Sequence, residues 1–266
     1  RKIAESGQCF RLNADRDGGY TLVAHGRVLR LRDAGNGSEI DCSEAEFDAL
    51  WRDYFDWDTD YAAIRASADP EDSFLRRACD YGAGIRMLRQ DPWEMLVSFI
   101  ISQRKNIPAI KYCIEALCSR YGEGIESAGA RFYAFPTAER LAALDEEHFL
   151  ACSLGYRAKY ILSAAHMVAS GALDLTGIAA LGDEALFSAL LPVPGVGEKV
   201  ANCVMLFGYH RLSRFPRDVW INRIEENEYG GAFPLARYPD TAGALQQYIF
   251  YYARSAEYSA QMHANP

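Results

Sequence analysis

Apolar and polar residues alternate with a period of two along residues 8–42. The stretches QCFRLNA, GYTLVAH and RVLRLRD carry the pattern, separated by Asp17-Gly18-Gly19, His25-Gly26 and Gly35-Asn36-Gly37. Alternation bounded by glycine turns predicts a small antiparallel sheet with one buried face. Ser43-Glu44-Ala45-Glu46 reads as a capping box that opens a helix running to about residue 55. Asp56-Trp57-Asp58-Thr59-Asp60 is then a loop ending in a second cap. Its D-x-D-x-D spacing lacks the glycine and distal glutamate of a calcium loop, so it reads as a turn.

From Pro70 onward the period becomes helical and stays so. Helices are predicted over 70–81, 92–102, 107–121, 137–143, 158–170, 183–190, 199–208, 218–228 and 241–255. Gly82-Ala83-Gly84, Gly122-Glu123-Gly124 and Pro234 break the pattern between them. No internal repeat interrupts this order. The predicted fold class is α+β: an N-terminal antiparallel sheet domain with flanking helices over 1–82, then an all-helical body over 83–266, in two lobes with a cleft between.

Composition narrows the function. The chain has 266 residues, half of them apolar, enough for two domains or one large one. No apolar run approaches about 18 residues, so no membrane span is expected, and no signal peptide is visible. Seven cysteines are scattered without C-x-x-C pairs, which favours reduced thiols in an intracellular protein over a disulfide framework. Five histidines show no ligand spacing, so no metal and no cofactor is expected.

The net charge of −8 weighs against tight nonspecific DNA binding, because phosphate neutralisation supplies much of such affinity. Its distribution weakens that objection. Residues 1–80 hold 11 basic and 17 acidic groups, and residues 39–60 carry nine acids against the single base Arg52. A solvated face turned away from the ligand accounts for that stretch, and the rest of the chain is nearly balanced.

The stretch richest in chemistry is LPVPGVGEKVANCVMLFGYHRLSRFPRDVW, residues 191–220. Prolines and glycines in Pro192-Val193-Pro194-Gly195-Val196-Gly197 end one helix and prepare another. The result, spanning about 186–208, is a helix–hairpin–helix whose turn amides at Gly195, Val196 and Gly197 suit a backbone phosphate. Val200, Val204 and Phe207 share one face of the second helix. Lys199 lies in its first turn, where the helix dipole disfavours the ammonium and favours the neutral, nucleophilic amine. The second helix rises roughly 15 Å, and residues 210–216, if extended, span up to about 23 Å. The chain can therefore return Asp218 to Lys199, with Asp218 opening the next helix as its N-cap or first-turn acid. Taken singly, the two are an ordinary surface lysine and an ordinary cap.

Taken together, the hairpin, Lys199 and FPRDVW resemble the helix–hairpin–helix, Gly-Pro-rich loop and aspartate of the base-excision DNA glycosylases. The lysine resembles that of the bifunctional, lyase-active members. RQDPWEMLVSFIISQRKNI, SLGYRAKYI and LQQYIFYYARS, with the N-terminal sheet, resemble the 8-oxoguanine DNA glycosylases in particular. The four-cysteine iron–sulfur loop of endonuclease III-like relatives is missing, since only Cys203 lies beyond Cys152.

The resemblance implies excision of 8-oxoguanine from duplex DNA, with the damaged nucleotide flipped out of the helix and the protein working as a monomer. Lys199 would attack the sugar and form a Schiff base, and Asp218 would stabilise the charge developing there. Cys203, one turn beyond Lys199, would lie beneath the flipped base. Gln246 would read its Watson–Crick edge and Phe250 would stack on it, with Gln247 the alternative register for the amide. Gly7 would offer its carbonyl to N7–H, a hydrogen that 8-oxoguanine has and guanine lacks. A carbonyl facing an acceptor instead is penalised by roughly 1–3 kcal/mol.

Gln103, Arg104, Lys105 and Asn106 would fill the gap left by the flipped base. Tyr156 and Arg157 would wedge the neighbouring step and reach the orphaned partner base. Trp220, a DNA-contacting candidate, replaces a histidine seen in some members, which would alter how the lesion's phosphate is held. Arg104 and Lys105 depart from the family's asparagine run, Ala109 stands where an arginine is common, and Arg217 where a small apolar residue is usual. Two other readings stand beside this one: a glycosylase for another lesion, such as an alkylated base, that uses Asp218 alone, and a helix–hairpin–helix module that binds DNA without chemistry.

Overall fold

The computed structural model describes residues 1–34 and 37–264. Strands β1 (Leu12–Ala14), β2 (Tyr20–Ala24), β3 (Arg27–Asp33) and β4 (Ser38–Ile40) form one antiparallel sheet in sequential order. His25 and Gly26, both at positive φ, close the β2–β3 hairpin, as a two-residue primed turn requires. Leu22 faces Leu29 across that hairpin, and both are fully buried.

Two details differ from the alternation pattern. The regular ladder begins only at Leu12, because Gln8, Cys9, Phe10 and Arg11 are all buried and engage the helical body as well as the sheet. The edge strand β4 is three residues of mixed polarity, too short to register as a period. Residues 35 and 36 of the expected Gly35-Asn36-Gly37 turn lie outside the described residues.

Ser43 caps the following helix by accepting from the Glu46 amide at 3.1 Å. The Glu46 carboxylate instead accepts from Trp51 Nε1 at 3.2 Å, so the reciprocal half of the capping box is replaced. The helix widens to π geometry over Phe47–Trp51, which seats the fully buried Trp51 against Leu22, Leu29, Tyr54 and Phe55 in the sheet's own core.

The acidic stretch is exposed or half-buried except at Asp56, which is 5% exposed. Asp56 accepts from Tyr61 Oη (2.7 Å) and from Arg89 Nε and Nη2 (3.1 and 2.9 Å), and pairs with His210 Nε2 at 3.2 Å. Burial alone would raise its carboxyl, but His210, Tyr61 and Thr59 facing it hold it well below the usual carboxylate range. This node fastens the N-terminal region to the loop that follows the hairpin.

The body is built from α1 (Ser73–Tyr81), α2 (Pro92–Ser102), α3 (Ile107–Tyr121), α4 (Ala158–Ala169), α5 (Asp183–Leu190), α6 (Glu198–Gly208), α7 (Val219–Tyr229) and α8 (Ala242–Ala253). The predicted helices recur with ends moved by a few residues. The largest shift is at α1, where Asp72 rather than Pro70 caps the helix. α2 packs on α3 and α6, whereas α1 and α7 pack on α8, giving two lobes. The helix Tyr61–Ala66 and α1, which the division at residue 82 groups with the sheet, bury Ile64, Phe74 and Leu75 in the helical core. A hairpin of Gly124–Ser127 with Ala130–Tyr133, the helix Glu146–Leu150 and a last helix, Ala256–Ala264, go beyond the predicted elements. Among the described residues, no helix is long and apolar enough to cross a membrane.

Candidate active site

The buried face of α6 fixes the hairpin. Val200, Val204 and Phe207 are all buried, and the Phe207 ring stacks on Phe99 of α2 with centroids 5.3 Å apart. Gly195 sits at φ +85°, with Tyr160 so close that an added Cβ would lie 2.7 Å from its ring. Its carbonyl accepts from Gln103 Nε2 at 3.0 Å, which ties the α2–α3 loop to the turn. Val196 is buried and its amide donates to Val193. Gly197 is the N-cap of α6 and gives the helix no side-chain cap, so the first-turn amides remain open to an anion.

Gly195→Ala forces a β-carbon into Tyr160 at a left-handed φ, storing about 1–3 kcal/mol of strain unless the turn moves. The expected result is duplex affinity weakened roughly tenfold, since that strain equals one to two decades in binding. Fluorescence polarisation on an undamaged duplex measures it, and unchanged affinity would remove the turn from the DNA-contacting set.

The chain holds five lysines, and the structure separates them. Lys2 donates to Tyr81 and Ala83 carbonyls, Lys105 to Ser153, and Lys111 to Leu12. Lys159 lies over the Tyr160 ring. Lys199, half-buried in the first turn of α6, makes no such contact with any described residue. An amine meant to form a covalent bond has to be left in that condition.

The return loop brings Asp218 back along an anchored path. Arg211 and Arg214 pair with Asp183, and Arg214 with Glu184, at the start of α5. Phe215 stacks on Phe233 at 4.8 Å. Arg217 forms a two-point ion pair with buried Glu225, 2.7 and 3.0 Å, and this explains its departure from the family's small residue: it staples the loop to α7. Asp218 is the N-cap of α7, its Oδ1 accepting from the Trp220 and Ile221 amides at 2.9 Å each. Oδ2 receives no hydrogen bond from a described residue.

Cys203 is buried one turn beyond Lys199 on α6, and burial pushes its thiol up to about 12, with smaller contributions downward from Lys199 and upward from Asp218. Lys199 and Asp218 do not pair directly, which leaves the amine and Oδ2 available to a third group.

The expected base-contacting residues come from the two ends of the chain. An added Cβ on Gly7, at φ +77°, would lie 3.1 Å from Phe250 Cε1, so the first strand's approach touches α8. Gln246, one turn before Phe250, donates to the Pro216 carbonyl at 3.0 Å and accepts from Gln247 at 3.1 Å. That ties α8 to the loop two residues before Asp218. Gln247 Oε1 is buried and has no donor among the described residues.

Gly7 is held by residues that the sequence did not mark. Gln8, fully buried, donates to Ser6 Oγ and the Arg86 carbonyl and accepts from the Leu88 amide. Gln90 Nε2 donates to the Gln8 carbonyl at 2.8 Å. Two glutamines beside a glycine carry no periodic signal; only the tertiary fold gives them a role.

The gap-filling residues divide. Arg104 is exposed at φ +52°, Asn106 caps α3 through the Ala109 amide, and Tyr156 is 45% exposed. Arg157 is buried, its guanidinium bonded to the carbonyls of Gln103 and Leu154 and lying 4.4 Å from the Tyr156 ring centroid. It therefore braces both loops from beneath Tyr156. The half-buried Trp220 lies under Arg223. Among the described residues, no group of three or more His, Cys, Asp or Glu is placed to hold a metal ion.

Residues 1–96 match the family "8-oxoguanine DNA glycosylase, N-terminal domain", and residues 97–231 match "HhH-GPD superfamily base excision DNA repair protein". The chain is 37% identical over 158 residues to the Saccharomyces cerevisiae "N-glycosylase/DNA lyase", covering 55% of this chain and 42% of the yeast protein. It is thus similar to less than half of that protein's length. Among solved structures, it resembles MBOgg1 in complex with a low-affinity DNA ligand, with a TM-score of 0.90 and 42% identity over 95% of this chain and 91% of that one. It is equally close, TM-score 0.90 and 36% identity, to the Clostridium acetobutylicum 8-oxoguanine glycosylase/lyase in complex with duplex DNA containing cytosine opposite 8-oxoG. That match covers 95% of this chain and 90% of the bacterial one.

Proposed function

The chain belongs to the HhH-GPD superfamily of base excision DNA repair proteins, and on that footing we propose that it is a bifunctional 8-oxoguanine DNA glycosylase and AP lyase acting on duplex DNA. The observation that carries the reading is a pair of uncommitted groups at the hairpin and its return loop: Lys199 is the one lysine among the described residues whose amine makes no hydrogen bond, ion pair or ring contact, and Asp218, which caps α7 through Oδ1, keeps Oδ2 unbonded.

The chemistry follows from those positions. The Lys199 amine forms a bond to C1′ as the C1′–N9 bond breaks, the leaving purine keeping the bonding pair and taking a proton. Asp218 stabilises the positive charge that develops on the sugar. Ring opening gives the iminium of a Schiff base; loss of a C2′ proton then expels the 3′ phosphate and nicks the strand. Cys203 and Phe250 flank the extruded purine, Gln246 reads its edge after exchanging one of its internal hydrogen bonds, and the Gly7 carbonyl accepts N7–H. The hairpin amides at Gly195 and Gly197 grip a backbone phosphate, while Val196, expected to join them, is buried and spends its amide on the Val193 carbonyl. Gln103, Arg104, Lys105, Asn106, Tyr156 and Trp220 form the rest of the DNA-facing surface, and buried Arg157 braces the Gln103 and Tyr156 loops from beneath rather than reaching the orphaned base. The protein works as a monomer on chromosomal DNA, in the cytoplasm or nucleoid if the source is bacterial.

One gel tests the proposal: an oligonucleotide series with 8-oxoguanine opposite each base, with and without borohydride. Nicking of the lesion strand plus a trapped protein–DNA adduct is the expected result. Base release without an adduct would leave an Asp218-only glycosylase, and binding without release would leave a DNA-gripping module.

A further inference from the structure

Arg254, the C-cap of α8 one turn beyond Phe250, has no part in the chemistry above, yet it touches both Phe250 and the segment that leads to Gly7. Its guanidinium carbon lies 5.0 Å from the centroid of the Phe250 ring, within cation–π range. Its Nη1 donates to the Glu5 carbonyl at 3.1 Å, and Glu5 is two residues before Gly7. Gly7 in turn meets the edge of the Phe250 ring. One side chain therefore closes a circuit between the segment that carries the discriminating carbonyl and the ring that stacks on the base. Asp218 also reaches it: burial lowers the guanidinium's pKa, and Asp218 pulls it back up.

We propose that Arg254 is a positioning residue that sets lesion selectivity, holding the Phe250 ring and the Gly7 segment at the fixed spacing that an N7-protonated purine requires. This rests on the 8-oxoguanine reading above. A planar ring has two faces, and a guanidinium on one leaves the other for the purine. Residues at i and i+4 share a helix face, so Arg254 steers the ring without displacing any other element. A carbonyl accepting N7–H works only over a few tenths of an ångström. Loss of the tie would therefore act on base recognition and leave Lys199 and Asp218, which belong to α6 and the start of α7, where they are.

The other anchors of the same N-terminal segment supply a control. Tyr251 Oη donates to the Glu5 carboxylate at 3.0 Å without being the residue over Phe250. Tyr251→Phe removes that side-chain tie, while the Arg254 bond to the Glu5 carbonyl and its contact with Phe250 keep the segment in place.

The test compares two steps of one protein under single-turnover conditions: excision of 8-oxoguanine from duplex DNA, and nicking of a preformed abasic site. Arg254→Ala is expected to slow excision roughly 10- to 100-fold, the cost of a misplaced positioning group. Abasic-site nicking should stay within about twofold of wild type, because it needs no base in the pocket. Arg254→Lys, which keeps the charge and one donor but loses the plane, should fall between, and Tyr251→Phe should match wild type in both steps.

Parallel loss of both steps, together with a shallower salt dependence of DNA binding, would overturn the proposal and make Arg254 a phosphate contact. An Arg254→Ala excision rate equal to wild type would overturn it as well. A wild-type protein that leaves 8-oxoguanine in place would instead bring down the reading on which this rests.

Discussion

Lys199→Gln abolishes borohydride trapping: no protein–DNA adduct forms on 8-oxoguanine or abasic duplexes, while duplex affinity and melting temperature stay near wild type. Trapping requires a primary amine bonded to C1′ through an iminium that hydride can reduce, and glutamine's amide nitrogen cannot form one. Lys199 is half-buried and makes no described hydrogen bond or ion pair, so its replacement removes no fold contact. Loss of a nucleophile of this kind costs on the order of 10³-fold or more in the covalent step. The other four lysines cannot substitute cheaply, because Lys2, Lys105 and Lys111 are each bonded to backbone carbonyls and Lys159 lies over Tyr160. A Lys199→Gln protein that still traps would move the nucleophile elsewhere. A variant that excises the base without trapping would point to Asp218 acting through water.

How much of this was legible beforehand depends on what kind of force places each residue. Local forces leave a local record. Asp91, Asn106, Thr137 and Asp218 stand before apolar periodic runs, and each caps the helix that the pattern predicts. The faces of α6 follow from spacing alone. Contacts across long sequence separations leave none. Gln8 and Gln90 hold Gly7 from more than eighty positions apart, and Asp56 meets His210 from the opposite half of the chain. In the sequence, Asp56 is one acid among nine in a solvated stretch; its burial is decided by Tyr61, Arg89 and His210 arriving from three separate elements. Arg217 is a comparable case, with its partner Glu225 two turns along α7 and hidden from any rule about the loop. Tertiary packing also overrode the pattern at residues 8–11, whose alternation reads as strand while their side chains serve the interface with the body.

The capping role and the charge of Asp218 can be separated, and the second large expected effect does so. Asparagine is as good an N-cap as aspartate, and in Asp218→Asn the side-chain amide keeps an oxygen acceptor for the Trp220 and Ile221 amides that now bond to the carboxylate. Asp218→Asn should therefore melt near wild type, whereas Asp218→Ala, which loses the cap too, should be less stable by about 1 kcal/mol. Excision should fall in both, by roughly 10²- to 10⁴-fold, because the charge opposing the developing sugar cation is gone. Thermal melts and single-turnover excision on one duplex measure the two effects side by side. Asp218→Asn with wild-type excision would reduce Asp218 to a cap, and the catalytic assignment would then have to pass to another carboxylate. The free Oδ2, unbonded among the described residues, argues that it does not.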